Sequence, residues 1–325
     1  MRRTFSRLLT LALVALGSSF AHAQDYPSRV ITMIIPFPAG GSTDVLGRVL
    51  AESMTRSLGQ QVIVENSGGA GGTIGAGKAA RAAPDGYTIL FHNMAQATAP
   101  ALYPKLPYDP VADFDSIGLV ADVPMILVSR PDFPAKDLGA LIEHARENPD
   151  TTTFAHAGVG STSHLCSILF MDKIGTEITL VPYRGTGPAL NDILGGQVDL
   201  ICDQPVSTQG FIKAGTIKPY AVATKSRIAS LPDVPTFEEA GLAGFELAVW
   251  HGLYAPEGTP PEAVEKLGAA LHEALKDPTL MQRYAELGAM PATAEGATPA
   301  ALDAHLKAEI EKWRPIIEKA GVVAE

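Results

Sequence analysis

One segment limits what this chain can fold into more than any other. An unbroken apolar run, Val30 to Ile35, leads into Pro36-Phe37-Pro38-Ala39-Gly40-Gly41-Ser42-Thr43-Asp44, and apolar residues follow at Val45, Leu46, Val49, Leu50 and Met54. The run reads as a buried strand, and the later spacing as a helix with one apolar face. A glycine-rich turn between the two lets backbone N–H groups face outward at the positive end of the helix dipole. Such a turn holds an anion without lysine or arginine. The idea recurs at Ala157-Gly158-Val159-Gly160-Ser161-Thr162-Ser163-His164. Two such loops far apart in sequence imply two lobes that close around a small acid.

Short apolar runs alternate with helical patterns along the rest of the chain, which predicts an α/β protein with mainly parallel sheets. Strands are expected at 30–35, 62–65, 88–92, 126–128, 153–155, 178–181, 198–202 and 219–223. Helices are expected at 45–58, 75–82, 138–147, 163–171, 189–194, 208–214, 262–275, 278–287 and 299–320. Pro104, Pro107 and Pro110 mark a rigid connector, and a second punctuated region runs from Leu231 to Pro235 and from Pro256 to Pro261. These boundaries predict one lobe from 24–120 plus 250–325, a second from 121–249, and a hinge of two crossings.

The N-terminus carries Arg2, Arg3 and Arg7, an apolar run from Leu8 to Leu16, and the small-x-small ending Ala21-His22-Ala23. This is the pattern of a secretory leader, with cleavage expected after Ala23, in residues 1–23. The apolar run is shorter than the roughly 20 residues a membrane span needs. Formal charge is −10, and loss of the leader, which holds three arginines and no acid, makes it −13. That surface argues against nucleic acid or an anionic membrane as partner. It does not forbid a small anion, because distant carboxylates are screened over about 10 Å. Cys166 and Cys202 are the two cysteines. Two buried thiols, one on a helix and one in a strand, are the favoured reading, with a disulfide left open by the exported setting.

Further motifs carry a resemblance. Gly68-Gly69-Ala70-Gly71-Gly72-Thr73-Ile74-Gly75 and Ala83-Pro84-Asp85-Gly86-Tyr87-Thr88 follow the first loop. Pro182-Tyr183-Arg184-Gly185-Thr186-Gly187-Pro188-Ala189-Leu190, Val234-Pro235-Thr236-Phe237-Glu238-Glu239-Ala240-Gly241 and Trp250-His251-Gly252-Leu253-Tyr254-Ala255-Pro256 come later. In this order they resemble the substrate-binding proteins of tripartite tricarboxylate transporters, also called Bug proteins, over essentially the whole chain beyond the leader. The resemblance implies a type II periplasmic-binding-protein fold, with two α/β lobes, a two-strand hinge and the ligand between them. It implies no catalysis, no metal and no cofactor. The expected role is that of a periplasmic monomer delivering a small carboxylate to a permease of one large and one small subunit. The expected ligand contacts are Phe37, Ala39, Gly40, Gly41, Ser42 and Asp44 in the first loop, and Gly160, Ser161, Thr162 and Ser163 in the second. His92 and Asp203 join them as specificity positions, because Phe91-His92-Asn93-Met94 and Asp203-Gln204-Pro205 depart from the commoner family pattern.

Several of these residues admit a blander role. Asp44, in the first turn of a helix, favours capping and water organisation over direct ligand contact. His92 ends a strand where open α/β sheets place ligands, although a satisfied structural histidine fits equally. His164 follows three hydroxyl residues but lacks the surroundings of a hydrolase, and is expected to pack near the cleft. Arg184 suits either a carboxylate clamp or an ion pair. The glycines from Gly69 to Gly75 could form a dinucleotide turn, but a close-packed turn beside the cleft accords better with an exported protein. Presentation of ligand to a sensor kinase is the alternative to transport, and an exported hydrolase the more distant one. Composition does not choose among dicarboxylates, tricarboxylates, aromatic acids, amino acids and pyridine carboxylates.

Overall fold

The structure is a computed structural model that describes residues 26–323; the leader and its cleavage point lie outside the described residues. β1 (Ile31–Ile35) and β2 (Val62–Asn66) flank α1 (Ser42–Leu58), and α2 (Thr73–Ala80) leads to β3 (Thr88–Asn93) and α3 (Ala95–Leu102). β4 (Phe114–Pro124) and β5 (Ile126–Ser129) follow, almost continuous. Next come α4 (Leu138–Glu147), β6 (Thr153–His156), α5 (Thr162–Ile174), β7 (Thr179–Pro182), α6 (Thr186–Leu194), β8 (Leu200–Asp203), α7 (Pro205–Lys213) and β9 (Lys218–Val222). The chain finishes with β10 (Ala248–Pro256), α8 (Pro261–Ala274), α9 (Pro278–Glu286), β11 (Met290–Pro291) and α10 (Pro299–Lys319).

These strands form two sheets, one ordered β11-β4-β10-β3-β1-β2 and the other β7-β6-β8-β5-β9. The apolar run that opened the sequence becomes β1, paired in parallel with β2 and β3 and buried along nearly its whole length. α1 covers it so closely that a side chain at Gly47 would lie 2.4 Å from Ile35. α1 ends at Gly59 in the left-handed conformation that glycine adopts without strain.

The expectation of mainly parallel sheets needs correction. Of the nine pairings among the described residues, four are parallel (β1–β2, β1–β3, β6–β7, β6–β8) and five antiparallel. The antiparallel ones involve β4, β5 and β10, where the chain crosses between sheets, and β11 at the edge. β4 and β10 escaped the sequence reading, as did α3, which contains Pro100. Where the chain crosses, Met125 donates its N–H to Leu247, Ala223 to Met125, and Leu247 to Ala223, at 3.3, 2.8 and 3.0 Å. The hinge is thus a narrow hydrogen-bonded girdle.

One apolar core runs from Ile31, Leu46 and Phe91 in the first lobe through Met125 and Leu127 to Phe154 and Phe170 in the second. Each such fully buried side chain contributes about 1.5–3 kcal/mol. The C-terminal helix α10 packs on α3 and β4 and buries Trp313. Cys166 and Cys202 form a disulfide with Cα atoms 6.2 Å apart, which corrects the favoured reading of two thiols. The residues are distant in sequence, but α5 lies directly on β8.

Candidate functional site

The C-terminal ends of β1 and β3 in one sheet, and of β6 and β8 in the other, carry the loops that meet between the lobes. Ligands of open α/β sheets bind beyond such strand ends.

In the first lobe the turn between β1 and α1 is organised by Asp44. Its buried carboxylate accepts the Gly40 N–H at 2.8 Å, Arg48 Nε at 3.0 Å and Asn66 Nδ2 at 2.8 Å. Asn66 Nδ2 also reaches the Phe37 carbonyl at 3.1 Å, and Arg48 donates to Asn66 Oδ1. Burial alone would raise the Asp44 carboxyl, but the Arg48 side chain, the Gly40 N–H and the Asn66 amide hold it below the ordinary range. Asp44 therefore shapes the turn rather than capping α1, whose N-cap is Gly41 without a side-chain bond. The same bonds correct the expectation for the glycines. The Gly40 N–H is taken by Asp44, and the Gly41 N–H points to the Pro38 carbonyl at 3.3 Å. With Gly41 as the N-cap of α1, the N–H groups without an intrahelical acceptor are those of Ser42, Thr43 and Asp44. Gly40 has φ 80, where glycine is favoured, whereas Gly41 at φ −74 has ordinary backbone. Ala39, Gly40 and Gly41 are exposed and Phe37 is half-buried.

Beneath this turn lies a polar layer. Thr43 Oγ1 accepts from Asn93 Nδ2 at 3.2 Å and meets His251 Nε2 at 3.3 Å. His251 stacks on Phe91, with centroids 5.3 Å apart, and burial holds its pKa down to about 4. His92, 1% exposed, accepts the Asn93 N–H on Nδ1 at 2.8 Å. Burial, then the neighbouring His251, depresses its pKa to about 3, so the ring is neutral. The proton of a neutral ring whose Nδ1 accepts must sit on Nε2. That N–H has no partner among the described residues. It lies beside Gly72 and edge-on to Phe37, whose centroid is 5.5 Å away. The Gly69–Gly75 segment is a tight turn packed against this site: added side chains at Gly71 and Gly72 would strike Tyr103 and His92.

In the second lobe Ser161 caps α5 by accepting the His164 N–H at 3.3 Å. Ser163 Oγ accepts the Ala157 N–H at 2.7 Å and meets Ser161 Oγ at 3.2 Å. His164 Nδ1 accepts the Gly160 N–H at 3.2 Å, and its ring lies against His156. Burial first, and His156 second, bring the His164 pKa to about 4. The histidine thus fastens the loop as a neutral acceptor. These bonds leave the N–H groups of Thr162 and Ser163 as the open donors of α5. At the neighbouring strand end, Asp203 is buried, accepting Thr186 Oγ1 at 2.6 Å and the Gln204 N–H at 2.7 Å. Arg184 is exposed and forms no ion pair among the described residues.

Each loop touches the opposite lobe, the first at α7 and the second at α3. Ser42 Oγ lies 3.3 Å from Ser207 Oγ, and a side chain at Gly160 would come within 2.8 Å of Leu102 on α3. Each lobe thus brings a helix N-terminus to the side that faces the other, and the first lobe adds a buried imidazole N–H. Such a constellation can receive an anion through neutral donors. Among the described residues, no three histidine, cysteine, aspartate or glutamate side chains gather as a metal site requires. Sequence reasoning missed Asn66, Thr43, His251 and Ser207. Thr43 and His251 stood in noticed motifs, but nothing in the spacing placed one beside the other.

Comparison with known proteins gives a consistent result. The family described as "Tripartite tricarboxylate transporter family receptor" matches residues 46–322. A UPF0065 protein from the TAR-I ttuE-ttuC' intergenic region of Agrobacterium vitis is 50% identical over 302 residues, covering 93% of this chain and 87% of its own. The periplasmic binding protein BugD superposes with TM-score 0.85 at 46% identity, covering 91% of this chain and 99% of its own. MatC from Rhodopseudomonas palustris, solved with bound malate, has TM-score 0.83 and 39% identity, covering 90% and 100%.

Proposed function

The chain belongs to the tripartite tricarboxylate transporter family of receptors, and from that premise we propose that it captures a small organic carboxylate between its lobes and hands it to a membrane permease. The observation that supports this reading is a helix N-terminus in each lobe beside a contact with the other lobe, together with the unpartnered His92 Nε2–H. Ser42, Thr43 and Asp44 offer N–H groups from α1, and Thr162 and Ser163 from α5. Aligned peptide dipoles favour a negative charge at both positions. Ordered water between donor and carboxylate serves almost as well as direct contact. Phe37, at the edge of His92, supplies apolar surface for the ligand's carbon skeleton. The malate bound by MatC supports a carboxylate as the ligand class.

The protein works outside the cytoplasmic membrane, carried there by the leader and released after Ala23. Among the described residues no helix is long and apolar enough to cross a membrane. It acts as a monomer, binds rather than transforms its ligand, and serves a permease of one large and one small subunit. The lobes close about the Met125, Ala223 and Leu247 girdle, because a single ligand bonded to both helix starts favours the closed arrangement. Affinity in the micromolar range, about −8 kcal/mol, needs only a few charge-assisted bonds of about 1.5–3 kcal/mol each after ordering costs.

A thermal-shift screen of organic acids against their amides tests the reading. Acid at a hundredfold excess over Kd should stabilise by about 2.7 kcal/mol, and the matching amide far less. Equal shifts from acid and amide, or no shift from any acid, would defeat it.

A further inference from the structure

Asp203 differs from Asp44 and Asp199, two other carboxylates of these lobes. Asp44 is paired with Arg48, and Asp199, on the approach to the same strand β8, with Arg130 Nε at 2.8 Å. Asp203 is 4% exposed, and among the described residues no cationic side chain pairs with it. It accepts only the Thr186 hydroxyl on Oδ2 and the Gln204 N–H on Oδ1. Each carboxylate oxygen can accept a further bond, so capacity remains on both. Burial pushes its pKa up to about 6, the signature of a charge removed from water without a counter-charge. Gln204 repeats the pattern: it is 6% exposed, and its Oε1 meets no donor among the described residues. A buried carboxylate with no counter-charge thus stands beside a buried amide oxygen with no donor. A buried acceptor left unmatched is uncommon, and a group supplied from outside the chain accounts for it.

Their place in the fold says where that group comes from. Asp203 ends β8 at the edge that also bears the Gly158–Ser163 loop, since β8 runs parallel to β6. Ser207, three residues beyond Gln204, touches Ser42 across the cleft. The donors described above serve an anion; Asp203 and Gln204 would repel it. We propose that the ligand carries, besides its carboxylate, a hydrogen-bond donor on its carbon skeleton, a hydroxyl or an ammonium group, received by Asp203 and Gln204. This inference rests on the carboxylate reading and narrows it. The cleft sorts its ligands by polarity, with the acid at the helix starts and the donor at the end of β8. A ligand offering no donor would bury Asp203 against apolar carbon and bind correspondingly worse.

The experiment is calorimetry on the whole protein with matched acids: succinate, malate and aspartate; propionate, lactate and alanine; 3-phenylpropionate, phenyllactate and phenylalanine. In a series that binds, the donor-bearing members should exceed the bare acid by roughly tenfold to a hundredfold. An ammonium preference would place the amino member first, and a hydroxyl preference the hydroxy member. In Asp203→Asn, which turns one acceptor oxygen into a donor, most of that advantage of the donor-bearing members over the bare acid should vanish. Should the variant fail to fold, the ranking on the unaltered protein decides alone. A bare acid that binds as tightly as its donor-bearing partners overturns the inference and leaves the carboxylate reading intact. So does a preference that survives in folded Asp203→Asn. If no acid in any series binds, the carboxylate reading falls and this one with it.

Discussion

Replacing Asp44 by alanine removes the group that shapes the first loop, and its consequences follow from the contacts. The bonds from the Gly40 N–H and Asn66 Nδ2, at 2.8 Å each, end on a buried charge and are worth about 1.5–3 kcal/mol apiece. The Arg48 pair adds at most about 1 kcal/mol, because the arginine is half exposed. Against this the variant regains the cost of burying the carboxylate, so the net loss is about 2–4 kcal/mol. For a chain of this length that lowers the melting temperature by roughly 3–6 °C. The folded carboxyl titrates below its unfolded value of about 3.9, so its stabilisation is complete above that pH. It is lost as pH falls through the folded pKa, and the unaltered protein and Asp44→Ala should converge in acid. Affinity for the acid should fall roughly tenfold, because residues 37–41 are no longer held ready. Differential scanning calorimetry and titration calorimetry would report both. Lost binding with an unchanged melting temperature would refute the reasoning, since it would place the carboxylate on the ligand and not on the loop.

Breaking the disulfide with Cys166→Ser and Cys202→Ser opens a link of sequence separation 36 and should cost about 4 kcal/mol by the chain-entropy relation; urea unfolding equal to that of the oxidised protein would contradict this. His92, His164 and His251 are kept neutral by burial, with pKa values of about 3, 4 and 4. Folding therefore excludes their protons, and stability falls as pH drops below their unfolded value of about 6.5. Asp203, raised to about 6, acts in the opposite direction and offsets one of them. The net loss should be about 2–3 kcal/mol per pH unit between pH 6 and 4.5, and a flat denaturation midpoint over that range would count against neutral burial. Gly72→Ala, at φ 100 and with its side chain 2.9 Å from His92, should weaken both folding and binding. Gly41→Ala, whose new carbon would meet only the Pro38 carbonyl at 3.3 Å, should remain folded; equal damage from both would show that the loop is not built as described.

Much of this architecture was legible because burial leaves a period in the sequence. The apolar run that became β1, the turn after it and the amphipathic spacing of α1 and α4 could be read directly. β4 and β10 could not. Ala248–Pro256 mixes Trp250, His251 and Gly252 with apolar residues, because the strand is buried on both faces yet lines a polar layer. α3 was hidden by Pro100. In the site, the residue types were legible and their bonds were not. The glycine turn announced a helix start, but only the fold shows Asp44 taking the Gly40 N–H and so leaving the open donors at Ser42 and beyond. Asn66, 22 residues from Asp44, and His251, 208 residues from Thr43, become neighbours only when β2 and β10 join the sheet. The disulfide was unreadable for the same reason, since spacing does not reveal that α5 lies on β8.

The most direct measurement of the central claim is a crystal structure of the protein with the acid that stabilises it most. The carboxylate oxygens should lie within hydrogen-bond reach, directly or through one water, of the His92 Nε2 and of N–H groups from Ser42 to Asp44 and from Thr162 to Ser163, with the lobes closed upon them. A ligand lodged elsewhere, or held between the lobes with its carboxylate turned away from both helix starts, would contradict it.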